Sequence, residues 1–318
     1  MVPTLCCVAG PVAPAPVGTR AGVRRIGLRG TMPRVIDLLR QKGLSSAGAR
    51  DAMATGKVRV CGVPVGDGGR ECGAADLVYD PAAPRVVLGR DVAFLQVHPR
   101  WVIVWKPSGM LAVRAPGRDG EPTVVGAVAR QLGKALAVHR LDEGTSGCML
   151  VARDEEAQDR LKAIFERHEV ERRYLAIASG RVPEEPRRVE SVLIRDRGDG
   201  RRGSAIGHVG NGEGKPAVTV VRGLRPVRVG SMTATLVEAT LETGRTHQVR
   251  IHLAEGGHPV LGDSLYGPRT VAEAFPRLAL HAAVLGFTDP FDGVQVRWDT
   301  GLPDDIDRAV RGAAVPRG

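Results

Sequence analysis

The apolar residues of this chain recur mostly in strand-length runs, and that spacing restricts its fold more than any other feature. The runs are Trp101–Trp105, Ala135–Val138, Gly147–Ala152, Tyr174–Ala178, Ala217–Arg222 and Met232–Leu241. The last two alternate apolar and polar residues, the period of a half-buried antiparallel strand. One stretch carries a helical stripe instead. Asp154 caps a segment reaching His168, with Ala157, Leu161, Ile164 and Phe165 at i, i+4, i+7 and i+8. Strands that outnumber helices and adjoin in hairpins predict an α+β class, with a largely antiparallel mixed sheet flanked by helices and loops. Residues 181–216, rich in Arg, Gly and Glu, predict a hairpin with a long mobile loop.

This domain is expected over residues 88–300. A compact unit precedes it over 32–80. There Val35, Ile36, Leu38 and Leu39 lie on a helical segment ending at Gly43, and Ser45 or Ser46 caps a second helix over Ala47–Thr55, stopped by Gly56. Lys57–Val60 alternates like a strand, a Gly-Val-Pro turn follows, and Asp76–Tyr79 closes the unit. Residues 1–31 are expected to be a disordered extension, Asp80–Pro84 a linker, and 301–318 a C-terminal tail.

The chain has 318 residues and a formal charge of +10. Such an excess favours a polyanionic partner, because clustered cations displace phosphate counterions on binding. Of 45 basic residues 39 are Arg and 6 are Lys, which suits phosphate and bases, although a codon preference for Arg accounts for much of the bias. Aromatic residues are only 3%, too few for a single-strand binder built on rows of stacking rings. No run approaches a membrane span. Cys6, Cys7, Cys61, Cys72 and Cys148 are too scattered for a disulfide framework and match no zinc spacing, so reduced thiols in a cytoplasm are expected.

Three segments carry the candidate chemistry. In His139-Arg140-Leu141-Asp142-Glu143-Gly144-Thr145-Ser146-Gly147, a strand approach and a Gly exit place Asp142 on a tight loop at a sheet edge, where a carboxylate is partly desolvated yet reaches a ligand. In Gly244-Arg245-Thr246-His247-Gln248-Val249-Arg250, a Gly turn opens a helix over Thr246–Ala254, with Arg250 one turn inside it on the side of Thr246 and His247. The third segment is Arg172-Arg173-Tyr174. Each residue has a plainer reading: Asp142 and Arg250 as a structural ion pair, Tyr174 as a strand-core aromatic, Lys106 as the holder of a turn. His139, His247, His252, His258 and His281 match no metal motif and are read as hydrogen-bonded structural residues.

Taken together, HRLDEGTSG, GRTHQVRIH, the KPSG turn at Lys106, RRYLA, GHPVLGDSLYG and LALHA resemble the RluA-type pseudouridine synthases, in that family's order over nearly all of residues 90–300. Arg172 stands where the family usually has Lys. The 32–80 unit resembles the small RNA-binding domain of the ribosomal small-subunit protein four type. It lacks that family's Arg between the two serines and has Cys61 before Gly62 where an Asn is usual. The resemblance implies an isomerase that breaks the N1–C1′ bond of uridine, turns the base and rejoins it through C5, with no cofactor and no metal. Asp142 is then the carboxylate at the ribose, as nucleophile or as base for the 2′ proton. Arg250 would hold it ionised, and Tyr174 would stack on the uracil and take the C5 proton. Arg140 would fill the space left by the flipped base, and Leu280 would wall the pocket. By the same resemblance His139, Thr145, Arg172, Arg245, His247 and Lys106 are expected at the substrate. The partner would be RNA, ribosomal or transfer, with no membrane, bound by a monomer. A non-catalytic RNA-binding or ribosome-assembly protein on the same fold is the alternative.

Overall fold

The computed structural model describes residues 32–60, 63–83, 91–205 and 214–312. The expectations for residues 1–31, for the Cys61-Gly62 hairpin position and for the tip of the 181–216 loop at 206–213 lie outside the described residues.

The N-terminal module opens with α1 (Val35–Gln41) and α2 (Ser46–Ala54), followed by β1 (Val58–Val60), β2 (Val63–Pro64) and β3 (Leu77–Tyr79). Ser45 caps α2, its hydroxyl accepting from Gly48 N. The strands form an antiparallel sheet in the order β2-β1-β3. Val35, Leu38 and Leu39 face Ala49, Ala52 and Met53 at helical spacing and close over Val58, Val60 and Leu77 as a core of their own.

The larger domain contains β4 (Ala93–Val97), β5 (Trp101–Lys106), α3 (Val124–Leu132), β6 (Leu136–Ala137), β7 (Ser146–Ala152), α4 (Glu155–Glu166), β8 (Glu171–Ser179), β9 (Arg187–Ile194), β10 (Gly203–Ser204), β11 (Lys215–Val229), β12 (Met232–Leu241), α5 (Gln248–Glu255), α6 (Arg269–Ala272), β13 (Leu280–Thr288), β14 (Gln295–Asp299) and α7 (Asp304–Val310). Its sheet runs β10-β9-β11-β12-β8-β13-β7-β5-β4, with β14 on β13 and β6 on β7. Every pairing is antiparallel except β13 with β7. Helix α4 begins after Asp154, whose carboxylate accepts from Ala157 N.

Period two explains how β5 and β7 are covered on both faces. Trp101, Ile103, Cys148 and Leu150 meet Leu161 and Ile164 of α4, whereas Val102, Val104, Met149 and Val151 meet Val124 and Val128 of α3. The parallel β7–β13 contact is only Ser146 and Gly147 against His281 and Ala282. It is close: a Cβ on Gly147, at φ +124°, would lie 2.3 Å from the Ala282 carbonyl oxygen, so only Gly fits. This seam joins the two halves of the sheet, and the Asp142 loop leads straight into it.

The hairpin expected within 181–216 is present: β9 and β11 pair antiparallel, with the short β10 on the outer side of β9. Two other expectations change. Residues 301–312 are not merely a tail, since α7 buries Ile306, Ala309 and Val310 against the sheet. Helix α5 starts at Gln248, not Thr246, because His247 takes a left-handed conformation (φ 61°) in front of it. No helix among the described residues is long and apolar enough to cross a membrane.

Candidate active site

A cavity of about 560 Å³ opens where the 139–145 loop, the C-terminal end of α4, β8, the 244–250 segment and the start of β13 converge. Asp142, His139, Arg140, Thr145, Arg172, Tyr174, Arg245, His247, Arg250 and Leu280 all line it. Lys106 does not. It is fully buried beneath the loop, where its ammonium donates to the carbonyls of Pro107 (2.9 Å), Glu143 (2.8 Å) and Thr145 (2.8 Å). Burial pushes Lys106 down to about 7, opposed by the charges of Asp142 and Glu143. Three carbonyl acceptors need all three N–H donors, so this geometry is that of the charged form. Ser108 Oγ adds a bond to the Gly144 carbonyl at 2.7 Å, and the loop carrying Asp142 is thereby fixed from below.

Arg250 reaches Asp142 with one nitrogen and spends its fork elsewhere. Arg250 Nε and Nη2 donate to Asp263 Oδ2 and Oδ1 at 2.7 and 2.8 Å, and only Nη1 reaches Asp142 Oδ2, at 3.5 Å. The Asp263 side chain is 0% exposed and also accepts from the N–H groups of Leu265 and Tyr266. Burial pushes this carboxyl up, but the Arg250 fork and those N–H groups outweigh it and hold it below the usual range. Arg250 is thus anchored by Asp263 and extends one nitrogen to Asp142, whose own oxygens stay open to the cavity.

On its other side, Asp142 Oδ1 lies 3.8 Å from His247 Nε2. His247 Nδ1 is 2.8 Å from the Tyr266 hydroxyl, which burial keeps protonated by raising it to about 12. That hydroxyl is placed to donate to Nδ1 and leave the Nε2 proton facing Asp142. Burial also lowers the His247 pKa, against the pull of Asp142. Gln248 explains the local fold of the segment. Its Oε1 accepts from Thr243 Oγ1 (2.8 Å) and Arg245 N (2.9 Å), and its Nε2 donates to Val218 O and Thr219 Oγ1 (both 2.9 Å).

Tyr174 pairs with Ala239 on β12 and Ala282 on β13, at the seam, and Leu280 stands on the same strand as Ala282. Burial raises the Tyr174 hydroxyl to about 12, so at neutral pH it presents a protonated phenol to the cavity, a ring suited to stacking. His139 accepts from Leu150 N at 3.0 Å and stacks on Phe165 at 4.6 Å, and burial lowers it to about 3, a neutral wall residue. His252 and His281 spend both ring nitrogens on hydroxyls of Ser191 and Thr219, and of Ser146 and Thr300. Thr145 Oγ1 is buried without a partner beside Asp142. Arg140 is exposed at the cavity mouth.

Away from the cavity, His98, Asp289 and Asp292 bring ligand-type atoms within 4.8 Å of one another. Asp289 already accepts from Trp101 Nε1 (2.7 Å) and Phe291 N (3.0 Å), and Asp292 from Val294 N (2.9 Å), so these carboxylates organise a hairpin. Asp263, Tyr266 and Gln248 were not singled out from sequence. Asp263 and Tyr266 fall in the GHPVLGDSLYG stretch and Gln248 in GRTHQ, where their polar character in apolar surroundings was the available signal.

Comparison with known proteins fits this geometry. The family model for RNA pseudouridylate synthases matches residues 100–255. The ribosomal large subunit pseudouridine synthase D of Zymomonas mobilis is 39% identical over 222 residues, covering 64% of this chain and 67% of that one. The protein of the same name from Neisseria meningitidis serogroup A is also 39% identical, over 64% of this chain and 56% of its own length. Human RNA pseudouridylate synthase domain containing 1 superposes with a TM-score of 0.57 at 23% identity, over 74% of this chain and 99% of that chain, and so shares the fold. A matched segment that spans the Asp142 loop, Tyr174 and Arg250, with relatives this similar across it, leaves one assignment: the chain belongs to the RNA pseudouridylate synthase family.

Proposed function

We propose that this protein isomerises uridine to pseudouridine in RNA, with large-subunit ribosomal RNA as its substrate. The observation that carries the reading is Asp142, a carboxylate facing the cavity with one Arg250 nitrogen at 3.5 Å, in a cavity that Tyr174 and Leu280 also line. Its neighbour Glu143 is drawn away by Arg118 (2.6 Å), and Asp263 is closed off by Arg250. Glu166 also lines the cavity but is exposed at the end of α4, so Asp142 is the partly buried carboxylate that faces it, which suits attack at C1′ or removal of the 2′ proton better than hydrolysis by paired acids. A flipped uracil would lie between Tyr174 and Leu280, with Arg140 at the mouth to occupy the vacated stack. In the net reaction the N1–C1′ bond breaks, a C5–C1′ bond forms, the C5 proton leaves to solvent, and N1 takes up a proton from solvent. The relatives named for the large ribosomal subunit support the choice of RNA. We assign to the 32–80 module further contacts with that RNA, and to the protein a monomeric, cytoplasmic role.

The test uses RNA transcribed with 5-tritiated uridine. The wild-type protein should release tritium from large-subunit ribosomal RNA. Asp142→Asn should lower the rate by at least about 100-fold, within the range for a lost acid–base group, while RNA affinity stays within a few-fold. Tritium release by the Asn variant at the wild-type rate would refute the assignment.

A further inference from the structure

Arg172 enters β8 two residues before Tyr174 and lines the cavity, yet it is only 8% exposed. Its Nη2 donates to the Glu242 carbonyl at 3.3 Å, its guanidinium carbon lies 5.6 Å from the Phe165 ring centroid, and its Nε is buried with no partner. The slot is cut to the guanidinium: a Cβ on Gly244 would come within 2.4 Å of Nη1. No carboxylate pairs with it among the described residues. Glu171 is held by Arg173 and Arg297, the Glu242 carboxylate by Arg188, and Glu166 at the end of α4 is exposed and pairs with neither cavity arginine. Arg245, at the same end, has its Nε on the Pro216 carbonyl (2.9 Å) and likewise no acid.

A buried cation without a counter-ion is costly, and an orphaned buried donor adds to the cost. Such a group persists where a ligand supplies what the protein withholds. We propose that Arg172, with Arg245 beside it, is the anion subsite of this cavity and takes a phosphodiester flanking the target uridine. The inference rests on the reading of the cavity as a uridine site and adds what holds the nucleotide in register. Once the base is flipped, a backbone phosphate fixed at Arg172 sets how far C1′ travels towards Asp142. Burial lowers the Arg172 pKa, the direction expected of a guanidinium kept from water before its anion arrives.

Calorimetry with four probes tests this: uridine, uridine 5′-monophosphate, uridine 3′-monophosphate and inorganic phosphate. One monophosphate should bind wild type about ten- to a hundred-fold more tightly than uridine, the increment of a bidentate charge-assisted contact, and which one does so identifies the flanking phosphate. In Arg172→Gln the gap should shrink below about threefold, and Arg172→Lys should keep part of it. Thermal unfolding gives a readout independent of nucleotide. Arg172→Gln should melt no lower than wild type in phosphate-free buffer, because a cost has been removed, and inorganic phosphate should raise the melting temperature of wild type alone. Equal binding of uridine and both monophosphates by wild type, no binding of any phosphate, or a gap that survives Arg172→Gln would each overturn the subsite. Failure of uridine itself to bind while phosphate does would instead count against the uridine reading.

Discussion

Arg250 divides its guanidinium unequally between two carboxylates, and the division says what each residue does. Two nitrogens at 2.7 and 2.8 Å on Asp263 fix the arginine, and one at 3.5 Å on Asp142 leaves that carboxylate free to meet the ribose. Removing Arg250 therefore strands Asp263 first. The pH sign follows. With Arg250 present the Asp263 pKa lies below the ordinary carboxylate value, so its stabilising contribution is complete above that value and is lost as pH falls through the folded pKa. In Arg250→Ala the burial cost is opposed only by the N–H groups of Leu265 and Tyr266, so the folded pKa rises and the group destabilises at neutral pH. The variant should be less stable by about 3–5 kcal/mol at pH 7, with the deficit narrowing as pH falls towards the ordinary carboxylate range. Urea unfolding at several pH values decides it, since a deficit that does not vary with pH would mean that Arg250 contributes packing alone. Asp263→Asn should give a different phenotype. It releases the fork to collapse onto Asp142, so turnover should fall with only a modest loss of stability.

Among the elements, the turn after β5 is the support of the catalytic loop. Lys106 ends that strand and ties three carbonyls, two of them in the 143–145 segment. Lys106→Met keeps the stem but orphans three buried acceptors, which should cost about 3 kcal/mol or more, at roughly 1–3 for each acceptor. The rate should fall more than RNA affinity does, because the loop that aims Asp142 is loosened while the cavity cations remain. Equal losses in both would place Lys106 at the RNA after all. The sequence expectation put Lys106 at the substrate because the KPSG turn travels with the other motifs, and proximity along a motif says nothing about which side of a loop a residue supports. Other elements were legible for plain reasons. The α4 stripe and its Asp154 cap are local, and β12 shows its period over ten residues. Helix α7 was hidden because its seven residues offer only Ile306, Ala309 and Val310 as an apolar face. The left-handed His247 was hidden too, since it depends on Gln248 anchoring the segment to β11, a contact distant in sequence. Asp142, Tyr174 and Leu280 could be named in advance, but the Asp263 anchor could not, because the geometry of a fork is decided by packing and not by spacing.

At the scale of the whole molecule, the C-terminal segment holds the N-terminal module, and the cations it exposes, in a fixed position. Asp67, buried in the module, is held by Arg308 (2.7 Å) and Arg311 (3.3 Å) of the C-terminal segment, and Asp304 accepts from Gly66 N and Asp67 N at 2.9 and 2.8 Å. Burial pushes Asp67 up, but Arg308, Gly69 N and Arg311 outweigh it and hold it ionised. Helix α7 thus latches the module to the sheet that carries the active site. On the module's surface Arg40, Lys42 and Arg50 are exposed on or next to α1 and α2. If these cations meet phosphates, replacing all three by Ala should lower the slope of log affinity against log salt by about two to three, at roughly 0.7–0.9 for each phosphate no longer neutralised. The melting temperature should hardly move, because none of the three side chains enters the Val35–Leu77 core. Arg201→Ala and Arg202→Ala, in the loop between β9 and β10, provide the comparison, as each should remove at most about one unit of slope. Filter binding of large-subunit ribosomal RNA across a salt series measures all of these. An unchanged slope in the triple variant would take the module off the RNA, and the C-terminal latch would then serve stability alone.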